Sequence, residues 1–240
     1  VKFFGVYDGH GVKGREASEL VNSRISNSIF EEGKKKILSS SYNLELIRSY
    51  FEISFNKIQK VFSDNPNDYE LSGSCAICVF YIEPCCYFIN LGDSRAVLGS
   101  YKNGKKISFE MSSDHKPNKE NELKRIQAKG GQVQSKAGGV YRVCKKNDDL
   151  PGLAVSRSFG DLLGHECGVS SVPEVIHKEL DIDDQFIVLA SDGVWDIMTS
   201  AEVVGFIFDK LECNKYRRDQ LSNLLVEECR LRWELISLYK

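Results

Sequence analysis

Val1-Lys2-Phe3-Phe4-Gly5-Val6-Tyr7-Asp8-Gly9-His10-Gly11-Val12-Lys13-Gly14 opens the chain. Its first seven residues are rich in aromatic and β-branched types, which suit a buried strand, and they stop where a carboxylate, an imidazole and two glycines crowd together. Asp-Gly after an apolar run is first of all a turn signature, so the segment gains meaning only from its echoes. Two exist: Phe88-Ile89-Asn90-Leu91 runs into Gly92-Asp93-Ser94, and Phe186-Ile187-Val188-Leu189-Ala190 runs into Ser191-Asp192-Gly193. If those strands share one core, Asp8, Asp93 and Asp192 converge at one rim, where only a cation makes their mutual repulsion tolerable. A metal site is therefore the leading expectation.

The bulk numbers bound the rest. With 240 residues and 42% hydrophobic content, the chain can bury one substantial core; its length fits a single large domain or at most two small ones, and with no composition break to mark a linker residues 1–240 are expected to form a single domain. A net charge of -2, with 28% charged residues of both signs interspersed, argues against a nucleic-acid or anionic-membrane binder. Lys34-Lys35-Lys36 and Arg217-Arg218 read as solvated faces. No apolar stretch approaches the ~20 residues that span a bilayer. Eight cysteines invite a disulfide or zinc reading, yet Cys75 and Cys78 fall on opposite faces of one strand-like run, and the adjacent Cys85 and Cys86 also point apart. Reduced, mostly buried thiols in an intracellular monomer, cytoplasmic or nuclear, are the expectation. The chain begins with Val rather than Met, which leaves room for an upstream targeting segment.

Ala17, Leu20, Val21, Ile25 and Ile29 recur at helical spacing and predict an amphipathic helix over 14–31. Leu44, Ile47, Phe51, Phe55, Ile58 and Phe62 predict a second, closed by Asp64-Asn65-Pro66-Asn67. Residues 75–82, 87–91, 95–100 and 107–111 are short β-rich runs that read as an antiparallel meander. A short helix over 120–129 ends at Gly130-Gly131, and loops around short strands fill 135–171. Strands over 175–180 and 185–190 precede two last helices, marked by Val203 to Leu211 and by Leu221 to Trp233. Strand clusters grouped apart from helix pairs indicate an α+β fold.

Two motifs mislead. Gly9-His10-Gly11-Val12-Lys13-Gly14 fits the dinucleotide-binding G-x-G-x-x-G, but the predicted helix leads to another helix rather than to the second parallel strand of a βαβ unit. Asp8 would also set a negative charge beside the pyrophosphate. Residues 99–105 match the start of a P-loop, then continue with Lys106 where Ser or Thr is required, so Asn103-Gly104 is a hairpin turn. No cysteine has an arginine six positions later to hold an anion, and His-Glu-x-x-His is absent. What remains is carboxylates at strand ends plus His10, a set suited to magnesium or manganese.

These residues resemble the metal-dependent protein phosphatases, the serine/threonine-specific protein phosphatase 2C family. The matching signatures run in the family's order: Tyr7-Asp8-Gly9-His10-Gly11, Ser72-Gly73-Ser74-Cys75-Ala76, Gly92-Asp93-Ser94-Arg95-Ala96, Asp114-His115-Lys116-Pro117, Leu153-Ala154-Val155-Ser156-Arg157-Ser158-Phe159-Gly160-Asp161 and Ala190-Ser191-Asp192-Gly193-Val194-Trp195-Asp196. The resemblance implies a four-layer α-β-β-α sandwich, two antiparallel sheets flanked by helix pairs. It also implies a metal-activated water that hydrolyses phosphoserine and phosphothreonine in protein substrates.

By the same resemblance, Asp8 bridges two metal ions, the Gly9 carbonyl binds the second, and Asp192 binds the first. Asp93 and Asp196 match positions serving a third, weaker ion, and His10 matches the general acid. The cofactors implied are two or three Mg²⁺ or Mn²⁺ ions. Arg95, Arg157 and Asp161 read as structural ion-pair or loop residues, and 160–173 matches the position of the family's variable flap beside the cleft. Family members normally also carry an upstream segment with a phosphate-binding arginine and a Glu-Asp pair, and a closing strand with a last metal-binding Asp. The numbered chain is expected to start after the first and stop before the second. A non-catalytic phosphatase-like binding module is the alternative, against which the retention of Asp8, His10 and Asp192 argues. A dinucleotide-binding protein is the remote one.

Overall fold

The computed structural model describes residues 1–25, 30–39, 43–135, 139–213 and 215–238. Strand β1 (Lys2–His10) pairs antiparallel with β2 (Gly73–Ile82) along its whole length, from Lys2 opposite Tyr81 to His10 opposite Gly73. Strands β3 (Cys85–Leu91) and β10 (Glu174–Glu179) extend this sheet in the order β1-β2-β3-β10, and the short β9 (Phe159–Gly160) pairs with the start of β2. A second sheet has the order β11-β4-β5, from β11 (Asp184–Ala190), β4 (Arg95–Lys102) and β5 (Lys105–Glu110).

The expected meander is thus cut in two between β3 and β4, where Gly92-Asp93-Ser94 carries the chain from one sheet to the other. Gly92 sits at φ +109, and a Cβ there would come within 2.2 Å of Cys75 Sγ, so only glycine makes this crossing. The β4–β5 hairpin turns at Asn103 and Gly104, both at positive φ, which settles the P-loop-like stretch as a turn.

Alternation along the strands decides which side chain meets which layer. Ile77, Val79, Cys86 and Phe88 meet Ala96, Leu98, Ile187 and Leu189 between the sheets. The intervening Ala76, Cys78, Phe80 and Tyr87 face helices α1 (Gly14–Arg24), α2 (Phe30–Ser39) and α3 (Leu44–Ser63). Val97, Phe186 and Val188 face α7 (Asp192–Trp195), α8 (Ser200–Glu212) and α9 (Leu221–Leu238). The result is the expected α-β-β-α sandwich. Because β2 is covered on both faces it reads as one continuous apolar run. Phe51, Phe55, Phe62 and Phe80 are essentially water-free under the first helix layer, and truncating any one to alanine should cost about 3–5 kcal/mol. Asn43 caps α3 by accepting from two backbone amides, and Thr199 with Glu202 forms a capping box on α8.

The helix expected over 14–31 ends at Arg24, its positions 26–29 lie outside the described residues, and Phe30 already belongs to α2. Helix α2 escaped the sequence reading because its inward positions, Gly33 and Ile37, make too thin an apolar stripe. Lys35, Lys36, Arg217 and Arg218 are exposed, as expected. Since α1 leads into α2 and α3, and β2 returns antiparallel to β1, the dinucleotide-binding unit does not exist here. No disulfide forms among the described residues, with Cys78 and Cys85 on the helix side and Cys86 between the sheets.

Outside the sandwich, α5 (Glu120–Ala128) and a third sheet of β6 (Gln132–Ser135), β7 (Tyr141–Cys144) and β8 (Pro151–Leu153) share a small core of Ile126, Val143, Cys167 and Val169. The short α4 (Pro66–Tyr69) and α6 (Leu162–Glu166) complete the elements.

Candidate active site

The three echoed strand ends do meet. Asp8 from β1, Asp93 from the β3–β4 crossing and Asp192 at the start of α7 line one cavity of about 280 Å³ together with His10 and the buried Cys75. Arg142 on β7 and residues 151–155 line the same cavity. This corrects the placement of the flap: residues 160–173 carry α6, and Cys167 and Val169 of this stretch pack into the small core with Ile126 of α5.

Gly9 holds its position because a Cβ there would fall 1.9 Å from the Gly14 carbonyl oxygen, where β1 ends against the start of α1. Asp196 lies just after α7, its amide donating to the Asp192 carbonyl at 2.8 Å. Its side chain is exposed and lies beside the cavity rather than on its lining.

The acidic groups are poorly balanced. Burial, then Asp192 and Asp93, raise Asp8 to a pKa of about 6, with His10 pulling the other way. Asp196 is also raised, by partial desolvation first and by Asp192 next, against Lys116. Among the described residues, Lys116 is the one Lys or Arg ion-paired to any of these four aspartates, with Nζ 2.6 Å from Asp93 Oδ2. The thiol of Cys75 donates to Asp93 Oδ1 at 3.4 Å.

Oxygen-only donors with excess negative charge suit a hard divalent cation in kind. Among the described residues no three His, Cys, Asp or Glu side chains close on a common point. That arrangement fits an ion such as Mg²⁺, which binds through one or two carboxylates and keeps several waters.

His10 has a partner that the sequence reading missed. Its Nε2 lies 2.6 Å from Asp161 Oδ2, a contact between residues 151 positions apart. Asp161 also accepts from Ser158 Oγ, and its amide donates to the Ser72 carbonyl at 2.9 Å. Its backbone is left-handed, at φ 45, a conformation that non-glycine residues adopt at some cost and that marks a position held by its surroundings. Gln59 clamps the preceding Gly160 through both its amide and its carbonyl. Burial alone would lower the pKa of His10, but the Asp161 hydrogen bond and charge, with Asp93 and Asp8, raise it.

Arg95 and Arg157 serve structure, as the sequence suggested. Arg95 grips Asp114 with two nitrogens, at 2.9 and 2.8 Å, and stacks over Trp195. Arg157 grips Glu122, with Nη2 2.6 Å from Oε1.

Residues 1–232 match the family model described as Protein phosphatase 2C. The chain belongs to the protein phosphatase 2C family. It is 33% identical over 217 residues to the probable protein phosphatase 2C 65 of Arabidopsis thaliana, covering 84% of this chain and 57% of that protein. It is 35% identical over 208 residues to the probable protein phosphatase 2C 64 of Oryza sativa subsp. japonica, covering 85% and 48%. The chain therefore spans about half the length of these curated relatives.

Solved structures agree on the fold. The serine-threonine phosphatase 2C from Toxoplasma gondii matches with a TM-score of 0.75 at 22% identity, over 96% of this chain and 80% of that one. A C. elegans sex determining protein matches with a TM-score of 0.76 at 23% identity, over 96% and 53%. The protein phosphatase 2C family is metal-dependent, using magnesium or manganese, in line with the donor chemistry of the Asp8 cluster. In this protein phosphatase 2C chain the six signatures all fall on segments around the cavity or on the ion pairs that brace it.

Proposed function

We propose that residues 1–240 act as one protein phosphatase 2C catalytic domain that hydrolyses phosphoserine and phosphothreonine in proteins. The observation that carries this is the meeting of Asp8, Asp93 and Asp192 in one cavity with a His10 held by Asp161. Asp8 and Asp192 would hold two Mg²⁺ or Mn²⁺ ions, with the Gly9 carbonyl on the second, and Asp93 with Asp196 would serve a third. So held, the ions supply charge stabilisation of the phosphoryl oxygens and a water made nucleophilic near neutral pH.

His10 acts on the leaving group. Asp161 fixes Nε2 and favours the charged ring, so Nδ1 is left to give its proton to the serine or threonine oxygen as the bond to phosphorus breaks. Substrates are phosphorylated proteins and the working unit is a monomer. The net charge of -2 argues against a nucleic-acid or anionic-lipid binder. Among the described residues no helix is long and apolar enough to cross a membrane. Eight cysteines held as thiols rather than disulfides support an intracellular setting, cytoplasmic or nuclear.

Substrate choice tests the role of His10. At saturating manganese, His10→Ala should slow hydrolysis of a phosphoserine peptide by ~10²- to 10⁴-fold, yet slow an aryl phosphate with an acidic phenol leaving group far less. Equal losses on both substrates would remove His10 from proton transfer. Full peptide turnover in excess chelator would end the metal-dependent reading altogether.

A further inference from the structure

The cavity of the aspartates also holds a cation to which the mechanism above gives no task. Arg142, on β7, lines the cavity with Asp8, His10 and Asp192, and among the described residues it is the only lysine or arginine that does. It is half-buried, and its Nη1 donates to the Gly152 carbonyl. No ion pair among the described residues includes it, whereas Arg95, Arg125 and Arg157 nearby each meet a carboxylate.

A guanidinium has five N–H donors, so one bond to a carbonyl fixes its plane without cancelling its charge. Withdrawing such a cation from water without a counter-charge is unfavourable, unless a ligand provides one. The planar fork of arginine matches two oxygens of a phosphoryl group, and such charge-assisted pairs are shorter and stronger than neutral hydrogen bonds. A cavity of about 280 Å³ has room for a phosphorylated side chain.

We infer that Arg142 is a substrate-binding residue that grips the phosphoryl oxygens of the phosphorylated side chain from the β6–β8 wall. This rests on the phosphatase reading above and extends it by naming the residue on this chain that recognises the dianion. The β6–β8 sheet is then a working wall of the site, and the Gly152 carbonyl is the stop that sets the angle of the guanidinium.

Arg142→Gln removes the charge but keeps an N–H for Gly152. It should raise both the KM for a phosphoserine peptide and the inhibition constant of orthophosphate by roughly 10-fold or more, with a smaller change in kcat and an unchanged melting temperature. Arg142→Lys, which keeps a point charge and loses the fork, should fall between it and the natural chain. If Arg142→Gln leaves both constants unchanged, or raises KM without weakening orthophosphate, Arg142 is a strut for the β7–β8 turn and the inference is overturned. If Arg142→Gln does not fold, Arg142→Lys decides: several-fold weaker orthophosphate inhibition supports the inference, and none overturns it. A natural chain with no phosphopeptide turnover and no orthophosphate binding would sink the phosphatase reading and this inference together, a result distinct from a failure of the variants alone.

Discussion

Glu122 and Asp8 are both carboxylates withdrawn from water, and one is surrounded by arginines while the other is surrounded by aspartates. Glu122 receives Arg157 at 2.6 Å, Arg125 at 2.7 Å and Ser156 Oγ at 2.6 Å. Burial would raise its pKa, but Arg157, Arg125 and Ser156 together hold it well below the usual carboxylate range. Asp8 has His10 as a cationic neighbour pulling its pKa down, yet burial with Asp192 and Asp93 pushes it up to about 6. A carboxylate kept for the fold is neutralised by the chain itself, whereas one proposed to meet an external cation is left short of positive charge.

The contrast can be broken most severely at Asp192. Asp192→Asn should lower manganese-dependent turnover by ~10³-fold or more, since the ions contribute several kcal/mol to the transition state. Its metal-free melting temperature should hold or rise, because a repulsive charge is gone. Near-normal turnover, or an unfolded variant, would make Asp192 a structural residue and erase the difference from Glu122.

Glu122→Gln should do the reverse, costing about 3–5 kcal/mol in urea unfolding because Arg157 and Arg125 lose their counter-charge in a largely buried site. The pH dependence carries the same message. The folded-state pKa of Glu122 is depressed, so its contribution is fully present above the ordinary glutamate pKa and is lost as pH falls through that value toward the folded one. The natural chain should therefore lose stability in acid more steeply than Glu122→Gln, and parallel acid-unfolding curves would contradict the assignment.

Asp161 stands between the two cases, a buried acid whose partner is the proposed general acid, His10. Asp161→Asn should slow phosphoserine turnover by roughly 10-fold and lower the pH at which turnover falls on the alkaline side, because the raised pKa of His10 owes most of its increase to Asp161. A slower enzyme with an unmoved pH profile would reduce Asp161 to a loop anchor.

The smallest effect is expected at Lys116, whose ammonium is ion-paired to Asp93 of the acidic group. Lys116→Met frees Asp93 and should tighten the weakest manganese-binding step in calorimetry by up to about fivefold, the range of a part-exposed ion pair. No change in any manganese-binding step would mean that Asp93 and Lys116 form a purely structural pair.

Much of the site was legible because strands deliver their ends predictably. An apolar run that stops at Asp8-Gly9, Gly92-Asp93 or Asp192-Gly193 announces a carboxylate at a rim, and the three rims coincide in one cavity. Asp161 was illegible for the opposite reason: nothing near it in the chain refers to His10, and the contact exists only because β9 pairs with the start of β2, beside His10 opposite Gly73. Arg142 was hidden likewise, in a stretch that reads as loops and short strands until β6, β7 and β8 stand as a wall.

The sequence by itself determined the α+β class, the strand that ends at Asp8, the hairpin at Asn103-Gly104 and the family, since each is written in local pattern, turn chemistry or ordered motifs. Only the tertiary structure decided that the apparent meander divides between two sheets at Gly92, that His10 leans on Asp161, and that Arg142 shares a cavity with the aspartates. Those relations join residues far apart in the chain, and the packing of one layer on another sets them rather than any preference that a short stretch can express.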